Sequence, residues 1–547
     1  MKLKSLLMGE NYKILAGEED VEIKHLSFNS KEILKNSIFF CIKGVSTDGH
    51  KYINEAIKNG AKAIVLSDEE YLTYKEKDLD LNEQMSDKLK IEMSKNLSKN
   101  KNRKKADKEE DQIIYDKSIT IIKVKDARAT MSLATRNFYG NSFSYKIIGI
   151  TGTNGKTTST FMLKSILRTA KKNVAIIGTS GIFFNEKQLK GEELTTPDPI
   201  DLFYWLNFFN KKIDFLIFEV SAHALYYDKI KYILSDVAIF TNISEDHLDF
   251  FHDMENYANS KFKYFEKEYS KLAIINIDDE YGNKLYKNLE NSKLSFGKSL
   301  NSEFVISDTE NYKFKLKFAQ FNSSKRLEET QFSCNSKLKT MNKNRKFVLT
   351  MPGEYNAYNA TGVIIAAFAL GFDYKIIYKG LKNLPLVSGR YNVFDIKKHG
   401  KVILDFAHTP DGLEKVLTAT RKTMKKNAKL ISLFGCGGNR DVYKRPIMGK
   451  IASEIADFVI ISIDNPRYED PYKVMNDIAK GIEEQKRDNY KIVMPRKEAI
   501  RQAILMCGKD DRVVVSGKGT EPYYEVNGVK QEYHEEEIIK GFQKRIK

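Results

Sequence analysis

Several groups of residues along the 547-residue chain have types and spacings suited to chemistry. In Tyr145–Thr160, YKIIGITGTNGKTTST, a short apolar run breaks into Gly152, Thr153, Asn154 and Gly155, then enters a helical pattern opening with Lys156, Thr157 and Thr158. Glycines let backbone N–H groups turn towards an anion, a lysine brings a point charge to terminal phosphates, and a threonine hydroxyl can hold Mg²⁺. This is a nucleotide phosphate loop, with Ile150 standing where the generic loop has its first glycine.

Two more groups follow apolar runs in the same manner. EVSAHAL (Glu219–Leu225) offers a carboxylate, a hydroxyl and an imidazole where α/β folds bind ligands. Glu219 could complete a Mg²⁺ shell begun by Thr157, or simply cap a helix. In TNISEDHLDFF (Thr241–Phe251), His247 reads as a metal or phosphate contact or as a structural histidine, and Asp246 and Asp249 read as helix caps. The helix pattern Asp253–Phe265 carries Lys261, which residue physics alone makes a solvated surface charge. Near the C-terminus, Asp405 and His408 end a strand pattern, Arg440 and Arg445 flank a glycine-rich turn, and DNPRYE (Asp464–Glu469) ends the next strand. Arginines so placed suit bidentate recognition of carboxylate or phosphate, with plain surface-loop arginines as the alternative.

The elements that position these groups alternate. Strand-like runs at Asn173–Ile177, Phe215–Val220, Val237–Thr241 and Leu272–Asn276 have the continuous apolar character of parallel strands. A second alternating series has strands at Lys401–Phe406, Leu430–Phe434, Phe458–Ile463, Lys491–Met494 and Arg512–Ser516, separated by helical stretches. A smaller unit precedes the phosphate loop, with strands at Ser37–Ile42, Ala61–Leu66 and Ile119–Val124 and a helix around Ile53–Asn59. The expected fold is α/β in three domains, a central doubly wound parallel sheet with the phosphate loop and a C-terminal Rossmann-like domain, divided as 1–140, 141–386 and 387–547. Residues 73–115, rich in Lys, Asn and Glu, read as a solvated insertion, and Lys298–Arg345 as an insertion or small β excursion.

Composition narrows the classes. The net charge of +17 invites a nucleic-acid reading, but much of the lysine excess lies in 73–115, and an anionic small substrate accommodates it more easily. No run of about 18 apolar residues is present, so no membrane insertion is expected and a cytoplasmic monomer is. Cys41, Cys334, Cys436 and Cys507 are widely spaced, as reduced buried thiols would be.

TGTNGKTT, TTP at Thr195–Pro197, EVSAHAL, TNISEDHLD, the Lys261 helix, PGEYNAYNA (Pro352–Ala360), SGRY (Ser388–Tyr391), DFAHTPDGLE, FGCGGNRDVYKRPIMG and DNPRYE together resemble the Mur ligases, in their order. The resemblance covers the chain apart from the two insertions. It implies an ATP-dependent ligase that phosphorylates the D-Glu γ-carboxylate of UDP-MurNAc-L-Ala-D-Glu to an acyl phosphate, which the amine of a diamino acid then attacks. It implies Lys156, Glu219, His247 and Lys261 as catalytic residues. Mg²⁺ would be held by Thr157, Glu219, His247 and Lys261, the last carbamylated by CO₂. ATP would meet residues 152–158 together with Asn356, Asn359 and Arg390. The uridine-linked substrate would meet Ser30, Thr195, Thr196, Ser221 and Lys229, and the amino acid Arg440, Asp464, Asn465, Pro466, Arg467, Gly517 and Glu521.

A guanidinium in the DNPR sequence suits the distal carboxylate of meso-diaminopimelate, which lysine lacks. Departures from the family pattern are Lys31 and Lys229 for arginines, Phe251 and His252 for His-Gly, Asn439 for an acidic residue, and Thr520 for histidine. The last leaves L-lysine or another diamino acid such as lanthionine open as acceptors. A folylpolyglutamate-type ligase and a basic phosphate-loop protein that binds nucleic acid through 73–115 are the other readings. Deleting 73–115 is expected to leave ATP-dependent phosphate release intact; loss of function with weakened, salt-dependent binding would favour the basic-arm reading.

Overall fold

The computed structural model describes residues 1–44, 47–67, 118–191, 194–318, 344–519 and 521–545. The 73–115 insertion and Cys334 lie outside them. Chain compactness separates two units, Met1–Ser142 with Asp198–Phe208 and Tyr227–Tyr232, and Phe143–Pro197 with Phe209–Tyr226 and Ile233–Lys547.

The first unit holds a five-stranded sheet in the order Tyr12–Ala16, Thr120–Val124, Ala61–Leu66, Ser37–Phe40, His25–Ser27, antiparallel only at its first pair. Its inner strands are apolar on both faces. Ile38, Phe40, Val65 and Ile122 join one core, and Phe39, Cys41, Ile64 and Ile121 join the other. This is the alternation expected where helices cover both sides of a sheet. Helix Ala127–Tyr139 starts where Asp126 Oδ1 accepts from Arg128 N–H at 2.8 Å and Ala129 N–H at 3.1 Å.

The second unit contains an eleven-stranded sheet and a six-stranded sheet. The parallel centre of the larger runs Phe304–Glu310, Lys293–Gly297, Ala273–Asn276, Val237–Phe240, Lys146–Thr151, Phe215–Glu219, Val174–Gly178. Strand Lys146–Thr151 therefore sits where the connections change sides, the position at which doubly wound sheets bind ligands. Gly181–Phe184 and Lys187–Lys190 form a hairpin on one edge that the sequence pattern did not carry, and the β excursion expected around Lys298–Arg345, seen as Phe304–Glu310, Lys313–Phe318 and Arg345–Val348, widens the other. Helix Glu354–Ala369 is apolar nearly all round and buried along most of its length.

The smaller sheet runs Asn392–Asp395, Lys401–Asp405, Arg512–Ser516, Leu430–Phe434, Phe458–Ile461, Tyr490–Ile492, parallel after its first pair. A hairpin of Tyr523–Val526 and Val529–Glu532 stands beside it. Cys41, Cys436 and Cys507 are free and buried. Among the described residues no helix is long and apolar enough to cross a membrane.

One glycine couples the phosphate-loop strand to a neighbouring helix. A Cβ on Gly149 would lie 1.7 Å from Tyr264 Oη, and that hydroxyl meets Ser235 Oγ at 2.6 Å. Tyr264 belongs to the turn Lys263–Phe265 that closes helix Met254–Phe262, so the strand and the Lys261 helix are packed directly together. Gly149→Ala is expected to lower stability by about 1–3 kcal/mol, the usual range for overpacking. The urea midpoint reads it, and an unmoved midpoint would contradict the contact.

Candidate active site

The phosphate loop is shaped from below by the next strand end. Gly152 and Gly155 have φ of 144° and 87°, and a Cβ on them would lie 2.0 Å from Thr241 Oγ1 and 2.1 Å from Asn359 Oδ1. Glycine is required at both by conformation and by space. Asn242 holds the loop through its amide: Asn154 N–H donates to Asn242 Oδ1 at 3.1 Å, and Asn242 Nδ2 donates to Asn154 O at 3.0 Å. Thr241 Oγ1 donates to the same carbonyl at 2.7 Å. Lys156 opens helix Lys156–Thr169 and turns its Nζ back to Gly152 O at 2.8 Å and Thr153 O at 2.9 Å. Burial and the nearby Arg390 hold its pKa below the ordinary lysine value, opposed by Glu219 and Asp246. Thr158 is buried in the first helical turn.

Thr157 and Glu219 meet. Thr157 Oγ1 donates to Glu219 Oε2 at 3.0 Å, Thr179 Oγ1 donates to the same oxygen at 2.9 Å, and Arg390 Nη2 donates to Thr157 Oγ1 at 3.1 Å. Glu219 is 1% exposed, and its Oε1 is buried without a hydrogen-bond partner. A buried carboxylate oxygen left open beside a threonine hydroxyl fits a hard cation such as Mg²⁺, which takes few protein oxygens alongside phosphates and waters. The capping alternative fails for Glu219, because Ser221 Oγ accepts from Ala224 N–H at 3.2 Å and caps that helix itself. Thr196 Oγ1 donates to Glu219 O at 2.8 Å and accepts from Ser221 N–H at 3.0 Å, while Thr195 Oγ1 lies 3.1 Å from Thr179 Oγ1. These three expected substrate contacts thus form one network with Glu219.

Lys261 is not the surface charge that residue physics suggested. It is 1% exposed, its Nζ donates to Gly152 O at 3.2 Å, and it stands 4.7 Å from the centre of the Tyr257 ring one turn earlier. Burial and Lys156 push its pKa well below the ordinary value, against the pull of Asp246. Asp246 is likewise no helix cap. Its helix opens at His247 without a side-chain bond, the following helix is capped by Asp253, and Asp249 is exposed. Asp246 is instead the shared counter-ion. Against the upward push of burial, His247, His408, Lys444 and Lys156 hold its carboxyl below the ordinary value. His247 has φ of 58° and places Nε2 3.4 Å from Asp246 Oδ2, so it is held by Asp246 and not by Glu219. Burial lowers its pKa, with Asp246 opposing. Among the described residues no three His, Cys, Asp or Glu side chains cluster as a metal site.

Asn356 and Asn359 are buried, Asn356 Nδ2 donating to Pro352 O at 2.8 Å and Asn359 packing on Gly155. Arg390 lies 4.6 Å from the Phe406 ring centre. Asn154 Nδ2 donates to Asp411 Oδ2 at 2.8 Å, in the first turn of helix Pro410–Lys422. His408 Nε2 approaches Asp246 Oδ2 at 4.0 Å. The phosphate loop and the near edge of the smaller sheet therefore share one site.

At the other strand ends of that sheet, Asp464, Asn465, Gly517 and Glu521 gather around a residue the sequence reading passed over. Lys518, 1% exposed, donates to Asn465 Oδ1 at 2.9 Å and Glu521 Oε2 at 2.6 Å and lies 3.5 Å from Asp464 Oδ1. Its signal was a lysine between two glycines at a strand end. Arg467, at φ 52°, donates to Gly438 O at 2.8 Å and stands 3.5 Å from Glu525. The Pro466 carbonyl would lie 1.9 Å from a Cβ on Gly438, so the glycine-rich turn packs directly on DNPR. Arg440 is exposed on that turn, whereas Arg445 is fully buried in ion pairs with Glu469 and Asp477, a structural role in place of the expected recognition. In the first unit, Ser30 Oγ donates to Glu55 Oε2 at 2.6 Å and Lys229 pairs with Asp198 at 2.8 Å.

Known proteins match this arrangement over its whole length. Residues 22–139 match the Mur ligase family, catalytic domain, 150–367 the Mur ligase middle domain, and 389–519 the Mur ligase, glutamate ligase domain. The chain is a ligase of three α/β domains, and it belongs to the Mur ligase family. A Clostridium acetobutylicum protein named UDP-N-acetylmuramoyl-L-alanyl-D-glutamate–2,6-diaminopimelate ligase 1 is 37% identical over 100% of both chains. A solved structure of a UDP-N-acetylmuramoyl-L-alanyl-D-glutamate–2,6-diaminopimelate ligase aligns with TM-score 0.59 and 23% identity over 100% of this chain and 99% of its own. MurF ligase from Thermotoga maritima, solved in complex with ADP, aligns with TM-score 0.57 and 18% identity over 96% of this chain and 97% of its own.

Glu219→Gln keeps an acceptor for Thr157 and Thr179 but removes the charge. Phosphate release is expected to fall roughly 10²–10³-fold, the scale of a lost electrostatic contact in a dry site, with the melting temperature little changed. Near-normal turnover would exclude Glu219 from the chemistry.

Proposed function

We propose that this protein joins meso-2,6-diaminopimelate to the D-Glu γ-carboxylate of UDP-MurNAc-L-Ala-D-Glu with consumption of ATP, in peptidoglycan precursor synthesis in the cytoplasm. The observation that carries the acceptor assignment is the DNPR turn, where Arg467 is anchored beside a cluster of Asp464, Asn465 and Glu521. Residues 1–140 would hold the uridine nucleotide, 141–386 ATP and 387–547 the amino acid, in a monomer. Thr195, Thr196 and Ser221, bonded around Glu219, would orient the peptide end of the substrate, and Ser30 and Lys229 its nucleotide side.

In this reading a γ-carboxylate oxygen attacks the terminal phosphorus of ATP and ADP leaves. The unprotonated amine of the diamino acid then attacks the acyl phosphate carbon, and the tetrahedral adduct expels phosphate as the amine loses its proton. Lys156 supplies positive charge to the transferring phosphoryl group, and Gly152–Gly155 cradle the β-phosphate side with backbone N–H groups. Asn356, Asn359 and Arg390 shape the nucleoside end and tie it to the loop. Mg²⁺ held by Thr157 and Glu219 would neutralise the developing phosphoryl charge.

Lys261 fits a further modification. Its low pKa leaves a nucleophilic amine, whose nitrogen can bond to CO₂ and lose a proton, giving a carbamate anion. That change would replace an amine crowded by Lys156 with an anion able to hold a second Mg²⁺ with His247.

With ATP and the UDP-dipeptide, phosphate release is expected with meso-diaminopimelate and to be far weaker with L-lysine; equal turnover would remove the acceptor assignment. In ¹³C-bicarbonate the wild-type protein should show a carbamate carbon resonance that Lys261→Met lacks. Its absence from both would leave Lys261 as a plain buried amine.

A further inference from the structure

Lys518 is more enclosed than the charged residues expected at the acceptor site around it, and nothing in the acyl-transfer chemistry requires it. Its ammonium is shared by three groups, Asn465 Oδ1, Glu521 Oε2 and, more distantly, Asp464 Oδ1. Asn465 completes the triangle by donating from Nδ2 to Glu521 Oε2 at 2.7 Å, and its Oδ1 also accepts from Glu525 N–H at 3.0 Å. With Lys518 holding the Asn465 oxygen, the amide has one orientation, nitrogen towards Glu521. The lysine therefore fixes two of the polar groups that would face the amino acid.

It also sets their charge. Asp464, Glu521 and Glu525 are acidic and Arg467 and Lys518 basic, so the cluster carries one net negative charge with Lys518 and two without it. The distal end of diaminopimelate bears an ammonium and a carboxylate and is neutral, whereas the distal end of L-lysine is a bare ammonium. A more negative pocket favours the second, because opposite charges attract more strongly where water is excluded. Arg467 can reward the distal carboxylate only while the surrounding acids are balanced.

Resting on the ligase reading above, we propose that Lys518 is a positioning and specificity residue, which makes the acceptor pocket select a diamino diacid over a diamino monoacid by neutralising Glu521 and orienting Asn465.

The test uses the full chain with ATP and UDP-MurNAc-L-Ala-D-Glu, comparing kcat/KM for meso-diaminopimelate and L-lysine. Lys518→Gln should lower the diaminopimelate-to-lysine ratio by tenfold or more, through KM for the amino acid, with KM for ATP unchanged. Glu521→Gln should move the ratio the other way, the double variant should return it towards wild type, and Lys518→Arg should keep it. An unchanged ratio in Lys518→Gln, an equal loss of kcat with both acceptors, or Lys518→Arg behaving as Lys518→Gln would overturn the proposal. If thermal melting shows Lys518→Gln unfolded, the Glu521→Gln ratio decides alone, and no shift overturns it. Calorimetric binding of the two amino acids reads the same selectivity without turnover. A wild-type protein that turns over neither acceptor removes the ligase reading, while the binding ratio still decides Lys518.

Discussion

The site depends on how closely the backbone of the phosphate loop approaches the end of strand Val237–Phe240. Thr241 and Asn242 contact Gly152 and Asn154 at distances that leave no room for a Cβ on Gly152, and the Asn242 amide matches both the N–H and the carbonyl of one residue, Asn154. Net hydrogen-bond contributions are about 1 kcal/mol each, so the value of this clamp lies less in stability than in fixing the direction of the loop N–H groups. The loop is thus a feature of two strands.

That geometry brings like charges together. Lys156 and Lys261 both donate to Gly152 O, and Lys156 adds to burial in holding the Lys261 pKa down. Asp246 is the anion that keeps the arrangement tolerable, drawing in His247 from the larger sheet and His408 from the smaller one. Removing one member of such a buried set costs more than the pair itself contributes, because the remaining charges are left uncompensated. The polarity of the site is therefore collective, with Glu219 as its second anion and the open Oε1 as its point of attachment.

Much of this was legible in the sequence, for identifiable reasons. Leu430–Phe434, Arg512–Ser516 and Ala61–Leu66 appear with the limits expected, since buried parallel strands leave clean hydrophobic signatures. The short hairpin at Gly181–Lys190 did not, because edge strands half-exposed to water carry little such pattern. Phosphate-loop residues were readable from type and spacing. Residue physics alone misplaces Lys261 at the surface and Asp246 at a helix cap, because burial of a charge is decided by partners distant in sequence: the helix that carries Lys261 faces inward only because Tyr257 and Tyr264 pack on the loop and its strand. Arg445 and Lys518 make the same point in opposite directions, one absorbed by Glu469 and Asp477, the other placed at the centre of a cluster that was named without it.

The Asn154–Asp411 hydrogen bond has a thermodynamic meaning beyond its length. The side chain of Asn154 in the phosphate loop donates directly to the first turn of helix Pro410–Lys422, so this bond contributes only while the loop and the near edge of the smaller sheet stay in contact. Any ligand that favours this juxtaposition tightens the grip on the other ligand by the same factor, whichever arrives first. The carboxamide of Asn154 is in that sense the point at which two such binding equilibria would meet.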